Sequence, residues 1–312
     1  MTHGFEIGEA LAEGFRLIRR RPGAVAGWGI VMALPVLLSF IALIDLFLTL
    51  GPTALTAEGD PSPQTLGAMM RFQAFAMLIN VVQLAGFVLV IAAVYRAVLW
   101  PERAPGRFFD LRVGMDEARV AVIGLAVMAG CYGVMLLVTL LAFAFGAAFW
   151  MVSETAALIM GVVVGLAGIA GIVWAALRSS MIMPLSLATQ DFAFVPGWKM
   201  TRGRVGVLLG LFVSTYVIAF MVQLLFLLLA GLLLLGASIP FWPQLAVWAD
   251  SAQSGVPDLN PGLIAGAAVA AFIGASIYYG VIITICIAPG VSACRQMLTT
   301  QNRDETGAAA LS

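Results

Sequence analysis

Few residues of this chain have side chains able to react, and they are scattered. His3 is the single histidine, so no histidine-rich metal cluster can form, and Cys131, Cys286 and Cys294 lack metal-ligand spacing. Asp116 and Glu117 are adjacent carboxylates at the mouth of an apolar stretch. Neighbours on a helix point in different directions, so this pair suits a helix N-terminus better than acid/base catalysis. The chain has neither a phosphate-binding Walker loop nor a nucleophile elbow. No catalytic, cofactor-binding or metal-ligating residue is therefore assigned, and the chain reads as a non-enzymatic protein without a cofactor.

Polar groups inside apolar stretches carry more information, because in hydrocarbon they mark either pathways or helix contacts. Asn80 and Gln83 share a helix face and Gln223 lies in a later stretch. The three either line a polar cavity or form interhelical hydrogen bonds of roughly 0.6 kcal/mol each. Asp45 falls near the end of its stretch, as expected of an acid at the membrane interface. Arg96 and Arg178 stand at stretch ends, where they are expected to snorkel to headgroups.

The elements that must carry these residues are six apolar runs: 23–50, 72–99, 120–150, 156–183, 205–238 and 262–293. Each exceeds the roughly 20 residues that cross a hydrocarbon core. With 62% hydrophobic and 10% charged residues, a soluble domain is excluded. The expected fold is all-α: a polytopic bundle of six transmembrane helices, with interfacial helices and a weak period of about 90 residues that would make three repeated hairpins. Residues 1–22 form an amphipathic interfacial helix, 23–293 the membrane domain, and 294–312 a tail that ends in disorder.

Basic residues occupy alternate gaps. Arg16, Arg19, Arg20, Arg21, Arg103, Arg107, Arg112, Arg119, Lys199, Arg202, Arg204, Arg295 and Arg303 fall on one side, and Arg71 alone on the other. The positive-inside rule places both termini in the cytoplasm. The strong preference for arginine over lysine points to a GC-rich bacterium, hence an inner-membrane protein. The cysteines imply no disulfide, and Cys294 reads as a buried free thiol.

In the N-terminal segment, Glu6, Glu9, Glu13, Arg16 and Arg20 form one helical face and Ile7, Leu11, Phe15 and Ile18 the other, so this helix should lie along the membrane surface. The connectors at 100–119 and 184–204 mix cations with aromatics and should also lie in the interface, the first including a second interfacial helix. The outer segment 239–261, with Phe241, Trp242 and Trp248, should rest on the opposite surface. A very short turn around Ser153 and Glu154 predicts a tight antiparallel hairpin. Small-residue ridges at Gly161 and Gly165, Gly206 and Gly210, and Gly262, Gly266 and Gly274 should bring helices close, so Gly266→Leu should loosen the bundle.

The run RSSMIMPLSLATQDFAFVPGWKMTRG resembles a pattern in bacterial inner-membrane proteins related to the membrane domain of glycerophosphodiester phosphodiesterases. The matching positions are Arg178, Pro184, Trp198, Thr201, Arg202 and Gly203. The resemblance implies a multi-helix membrane module and carries no phosphodiesterase chemistry, which belongs to a separate soluble barrel. The expected partners are membrane lipids, anionic headgroups above all, with Arg107, Arg112, Lys199, Arg202 and Arg204 as a collar, or another membrane protein. Nucleic acid is not expected, and the oligomeric state is left open. The function read from sequence is a membrane scaffold or membrane-homeostasis role. The alternative is a transporter or lipid-handling protein with Asn80, Gln83 and Gln223 on its cavity.

Overall fold

The computed structural model describes residues 5–50, 62–102, 109–150, 153–238 and 261–309. Its helices are α1 (Ile7–Arg20), α2 (Pro22–Leu50), α3 (Pro63–Leu99), α4 (Met115–Trp150), α5 (Glu154–Ser179), α6 (Ile182–Thr189), α7 (Phe194–Met200), α8 (Val205–Ser238) and α9 (Pro261–Ala309). Among the described residues there is no strand. Six segments are long and apolar enough to cross a membrane, so the protein is a multi-pass membrane protein. The outer segment with Phe241, Trp242 and Trp248 lies outside the described residues, as do 103–108.

Successive spans pair as hairpins: α2 with α3, α4 with α5, and α8 with α9. Ser153 caps α5 by accepting from the Ala156 amide, as the short turn predicts. The end of the bundle that carries most basic residues, called here the basic end, holds the core. There α3 is buried on every side from Val90 to Val98 with Trp28 and Val291 packed in the same cluster, and a second cluster encloses Met181, Leu208 and Met297 between α1, α6, α8 and α9. Toward the opposite end the helices present leucine, valine and phenylalanine outward, as spans in hydrocarbon do.

The closest seam joins α2 to α9, and glycine makes it. A methyl group at Gly29 would overlap the Ser276 carbonyl, and one at Gly280 would overlap the Val25 carbonyl. Backbones can meet only because both side chains are absent. Gly168 similarly admits Val138 between α5 and α4. The ridges singled out from sequence lie elsewhere: Gly161, Gly165, Gly206, Gly266 and Gly274 face open space, and Gly262 is exposed. Gly210 alone has a neighbour, Ile7 Cδ1, at 3.6 Å. Those glycines sit mostly where the helices separate, and small-residue spacing looks the same in a lipid-facing half as in a seam.

Helix α1 forms over the expected residues, and Ile7, Leu11 and Ile18 of its apolar face pack half-buried against the core, but the inward stripe is shifted. Ala10, Glu13, Gly14 and Leu17 are buried, whereas Phe15 is exposed. Gly14 brings α1 onto the α9 backbone at Ile285. Pro289, four residues on, cannot donate to the Ile285 carbonyl, so α1 crosses α9 at a break in its hydrogen bonding. Glu13 accepts from Arg16 at 3.2 Å, which allows a carboxylate on the buried stripe. The helix is thus part of the bundle.

One further expectation changes. The segment after 184 is not a surface connector throughout, since Pro184, Leu185, Ser186 and Leu187 of α6 are buried. The second interfacial helix expected in the 100–119 connector falls in part on residues 103–108, which lie outside the described residues; none is present in 109–114. Helix α9 continues to Ala309, so most of the expected tail is helical, while its last residues, 310–312, lie outside the described residues. Cys294 is buried and, like Cys131 and Cys286, free.

Candidate functional site at the basic end

Arg96 organises this end. It lies in the last turn of α3, is 6% exposed, and donates through Nη1 to Glu117 Oε1 at 2.5 Å and through Nη2 to the Asp110 carbonyl at 2.7 Å. Asp116 Oδ2 is 3.6 Å from the same Nη1. Arg96 was expected to reach headgroups; it is instead neutralised inside, because the first turn of α4 delivers two carboxylates to it. Asp116 and Glu117 are thus not only helix-terminal acids. Arg119 extends the chain of contacts, donating to Asp116 Oδ1 at 3.3 Å and to Gln190 Oε1 at 2.8 Å, where α6 ends in the left-handed conformation.

The strand of chain entering α4 is held by the same means. Phe109 and Asp110 have φ of 60° and 62°, a region costly for residues with side chains. Three donors hold them there. Trp28 Nε1 donates to the Phe109 carbonyl at 2.9 Å, Arg96 to the Asp110 carbonyl, and Arg21 Nη1 to Asp110 Oδ2 at 2.9 Å. Gly27 leaves room for the Phe109 ring, which would crowd any Cβ at 2.5 Å. Arg295 on α9 donates to the Val98 carbonyl at 2.7 Å, satisfying the end of α3. Trp28→Phe should remove one buried hydrogen bond and free the turn, costing about 1–2 kcal/mol. Thermal unfolding of the purified variant, with protease sensitivity around 109–114 as a second reading, would check it; wild-type values in both would refute the role of the indole.

A second cluster lies on α5 and α7. Arg178 sits between two indoles, 4.8 Å from the Trp198 ring centre and 5.6 Å from that of Trp174, and the rings meet edge to face. Thr201 Oγ1 donates to the Trp198 carbonyl at 2.9 Å and is 3.3 Å from that of Arg178. Gly197 lets α7 lie against the backbone of Ile182, and Gly203, with φ of 76°, reverses the chain into α8. Arg178 therefore stacks inside a fold-back of the chain, where snorkelling had been expected. Ser186 ties that fold-back together, accepting from the Ala193 amide at 2.8 Å.

In these clusters Asp110, Asp116 and Glu117 each accept from or face a guanidinium, an arrangement that fastens helix ends and presents no free base. The remaining cations differ. Arg19, Arg20, Arg112, Lys199 and Arg202 are exposed and Arg204 half-buried, and none of them forms an ion pair among the described residues. Arg107 lies outside the described residues. Beside the free cations stand exposed apolar side chains, with Val113 at 91% and Met115 at 71%, followed by Phe192 and Val195. A cleft of about 740 Å³ opens here between α6, α7 and α9, lined by Asp191, Phe192, Lys199 and Gln301.

The polar residues of the spans do not converge. Asn80 and Gln223 are exposed on α3 and α8, and Gln83 is half-buried. A half-open cleft of about 280 Å³ lies between the helices, but its walls include Tyr95, Ser180, Met183, Phe212, Cys286 and Val291 and none of these three residues. No family model matches the chain, nor does any curated protein or solved structure. Sequence reasoning missed Arg21, Trp28 and Asp110 as a unit. The signal available was the two-turn spacing of Arg21 and Trp28, which puts both on one face of the entry to α2.

Proposed function

We propose that this protein is a non-enzymatic membrane scaffold or membrane-homeostasis protein of a bacterial inner membrane, with its basic end cytoplasmic and in contact with anionic lipid. One observation carries the reading: apart from Arg178, stacked on indoles, and Arg295, bound to a carbonyl, the described cations of the basic end fall into two sets. Arg16, Arg21, Arg96 and Arg119 are taken up by carboxylates. Arg19, Arg20, Arg112, Lys199, Arg202 and Arg204 keep their charge unpaired beside exposed apolar side chains. A cation next to an anionic bilayer gains about 1 kcal/mol, and apolar neighbours such as Val113 and Met115 would sit at the acyl boundary. The family resemblance around Arg178, Trp198 and Thr201 agrees with a structural membrane module. A transporter reading has less support, since none of Asn80, Gln83 and Gln223 lines the cleft between the helices at Tyr95 and Cys286.

The combined replacement of Arg112, Lys199, Arg202 and Arg204 by glutamine tests this. Retention of phosphatidylglycerol through purification should fall at least about tenfold, the effect of roughly 1.4 kcal/mol, while folding is preserved because these side chains hold no helix. Native mass spectrometry of the retained lipids reads the outcome. Equal retention by wild type and variant would overturn the assignment.

A further inference from the structure

At the end opposite the basic surface, α2 and α3 part around a cleft of about 720 Å³ lined by Ile41, Asp45, Thr49, Arg71, Phe72 and Phe75. A second cleft of about 740 Å³ shares Thr49 and Arg71 with it and adds the polar side chains of Ser62, Gln64 and Thr65. Asp45 and Arg71 are both exposed, and neither forms an ion pair with the other or with any described residue. An acid and a base thus line one cleft without neutralising each other. Arg71 immediately precedes the apolar run that begins at Phe72, and Asp45 stands five residues before Leu50, about 8 Å along the helix. Both charges therefore stand near the boundary between headgroups and acyl chains, where an uncomplemented charge is costly.

An occupant that satisfies this cleft must bring an anion, a cation and an apolar tail. We propose that it binds a zwitterionic phospholipid with a primary ammonium headgroup. The phosphate accepts from the Arg71 guanidinium, the ammonium donates to the Asp45 carboxylate, and an acyl chain lies along Ile41, Phe72 and Phe75. The volume is that of ordinary ligand sites, about 300–1,000 Å³. Selectivity follows from the acid. A purely anionic headgroup meets repulsion from Asp45, and a quaternary ammonium has no N–H to donate to it. The site is distinct in place and in lipid class from the free cations of the basic end.

Full-length protein exchanged into detergent and offered equal amounts of phosphatidylethanolamine, phosphatidylcholine and phosphatidylglycerol should retain the first about tenfold over the others, the worth of one hydrogen bond to a charged group. Asp45→Asn should erase that preference while leaving some binding of all three, and Arg71→Gln should weaken all three. Both side chains are exposed, so the variants should elute as wild type on size exclusion; if Arg71→Gln does not, Asp45→Asn alone decides. The four-fold glutamine variant of the basic end should keep the preference unchanged. A wild type that favours phosphatidylcholine or phosphatidylglycerol, or a preference that survives Asp45→Asn, would overturn the proposal.

Discussion

Arg96→Met is expected to destabilise the protein by about 3–5 kcal/mol, the range for breaking a buried ion pair from one side. The methionine is long enough to fill much of the space, so lost packing is minor. What remains is Glu117, only 5% exposed and left without its guanidinium, beside Asp116, which keeps Arg119. The Asp110 carbonyl also loses its donor, and with it one of the three groups that hold the left-handed pair at 109 and 110. Thermal unfolding in detergent, followed by the loss of monodisperse protein, would measure the change. Combining Arg96→Met with Glu117→Leu should recover part of the loss, because the most deeply buried lone charge is then gone. A single variant as stable as wild type, or a double variant worse than both singles, would mean that this contact does not hold α3 to α4.

Gly29→Leu is the second large effect, with a loss of at least about 3 kcal/mol, the upper part of the range for overpacking. The obstacle at Gly29 is the carbonyl of Ser276, and backbone cannot rotate aside as a side-chain tip can. Helices α2 and α9 would have to separate along the seam that also contains Gly280 and Val25. Gly266→Leu, which small-residue spacing marks as disruptive, should instead stay within about 0.5 kcal/mol of wild type, since nothing lies next to Gly266. Unfolding temperatures of the two variants measured side by side would decide. Reversed magnitudes would place the helix seam where spacing alone suggests.

The contrast between those two glycines shows what could be read beforehand. Six spans were legible because apolar runs of that length have few other uses, and the hairpin at Ser153 because so short a turn leaves no alternative. Facing was not legible. In a soluble protein the buried side of a helix is apolar and the other polar, but in a membrane both sides are apolar, so Gly29 and Gly266 look alike in sequence. Charges failed for a different reason. Arg96 invites a reading by depth alone, whereas its fate depends on Glu117, 21 residues on and across a connector. Helix α1 was legible as a helix from its period, yet its inward face follows the small residues Ala10 and Gly14, with Glu13 tolerated beside Arg16. A stripe defined by bulky residues alone pointed toward Phe15 instead.

The seam between α2 and α9, with α1 lying on α9, sets an order of events during synthesis. The Glu6 amide donates to Gln296 Oε1 across 290 positions, and Gly29 meets Ser276, 247 positions later, on the same helix α9. The spans that precede α9 therefore enter the bilayer while the small-residue face of α2 still has lipid where α9 will come to lie. Contacts so distant in sequence form late and slowly. Until α9 arrives, the faces of α1 and α2 that it will cover lack their protein neighbour, the kind of exposed surface that makes incomplete membrane bundles prone to misassembly.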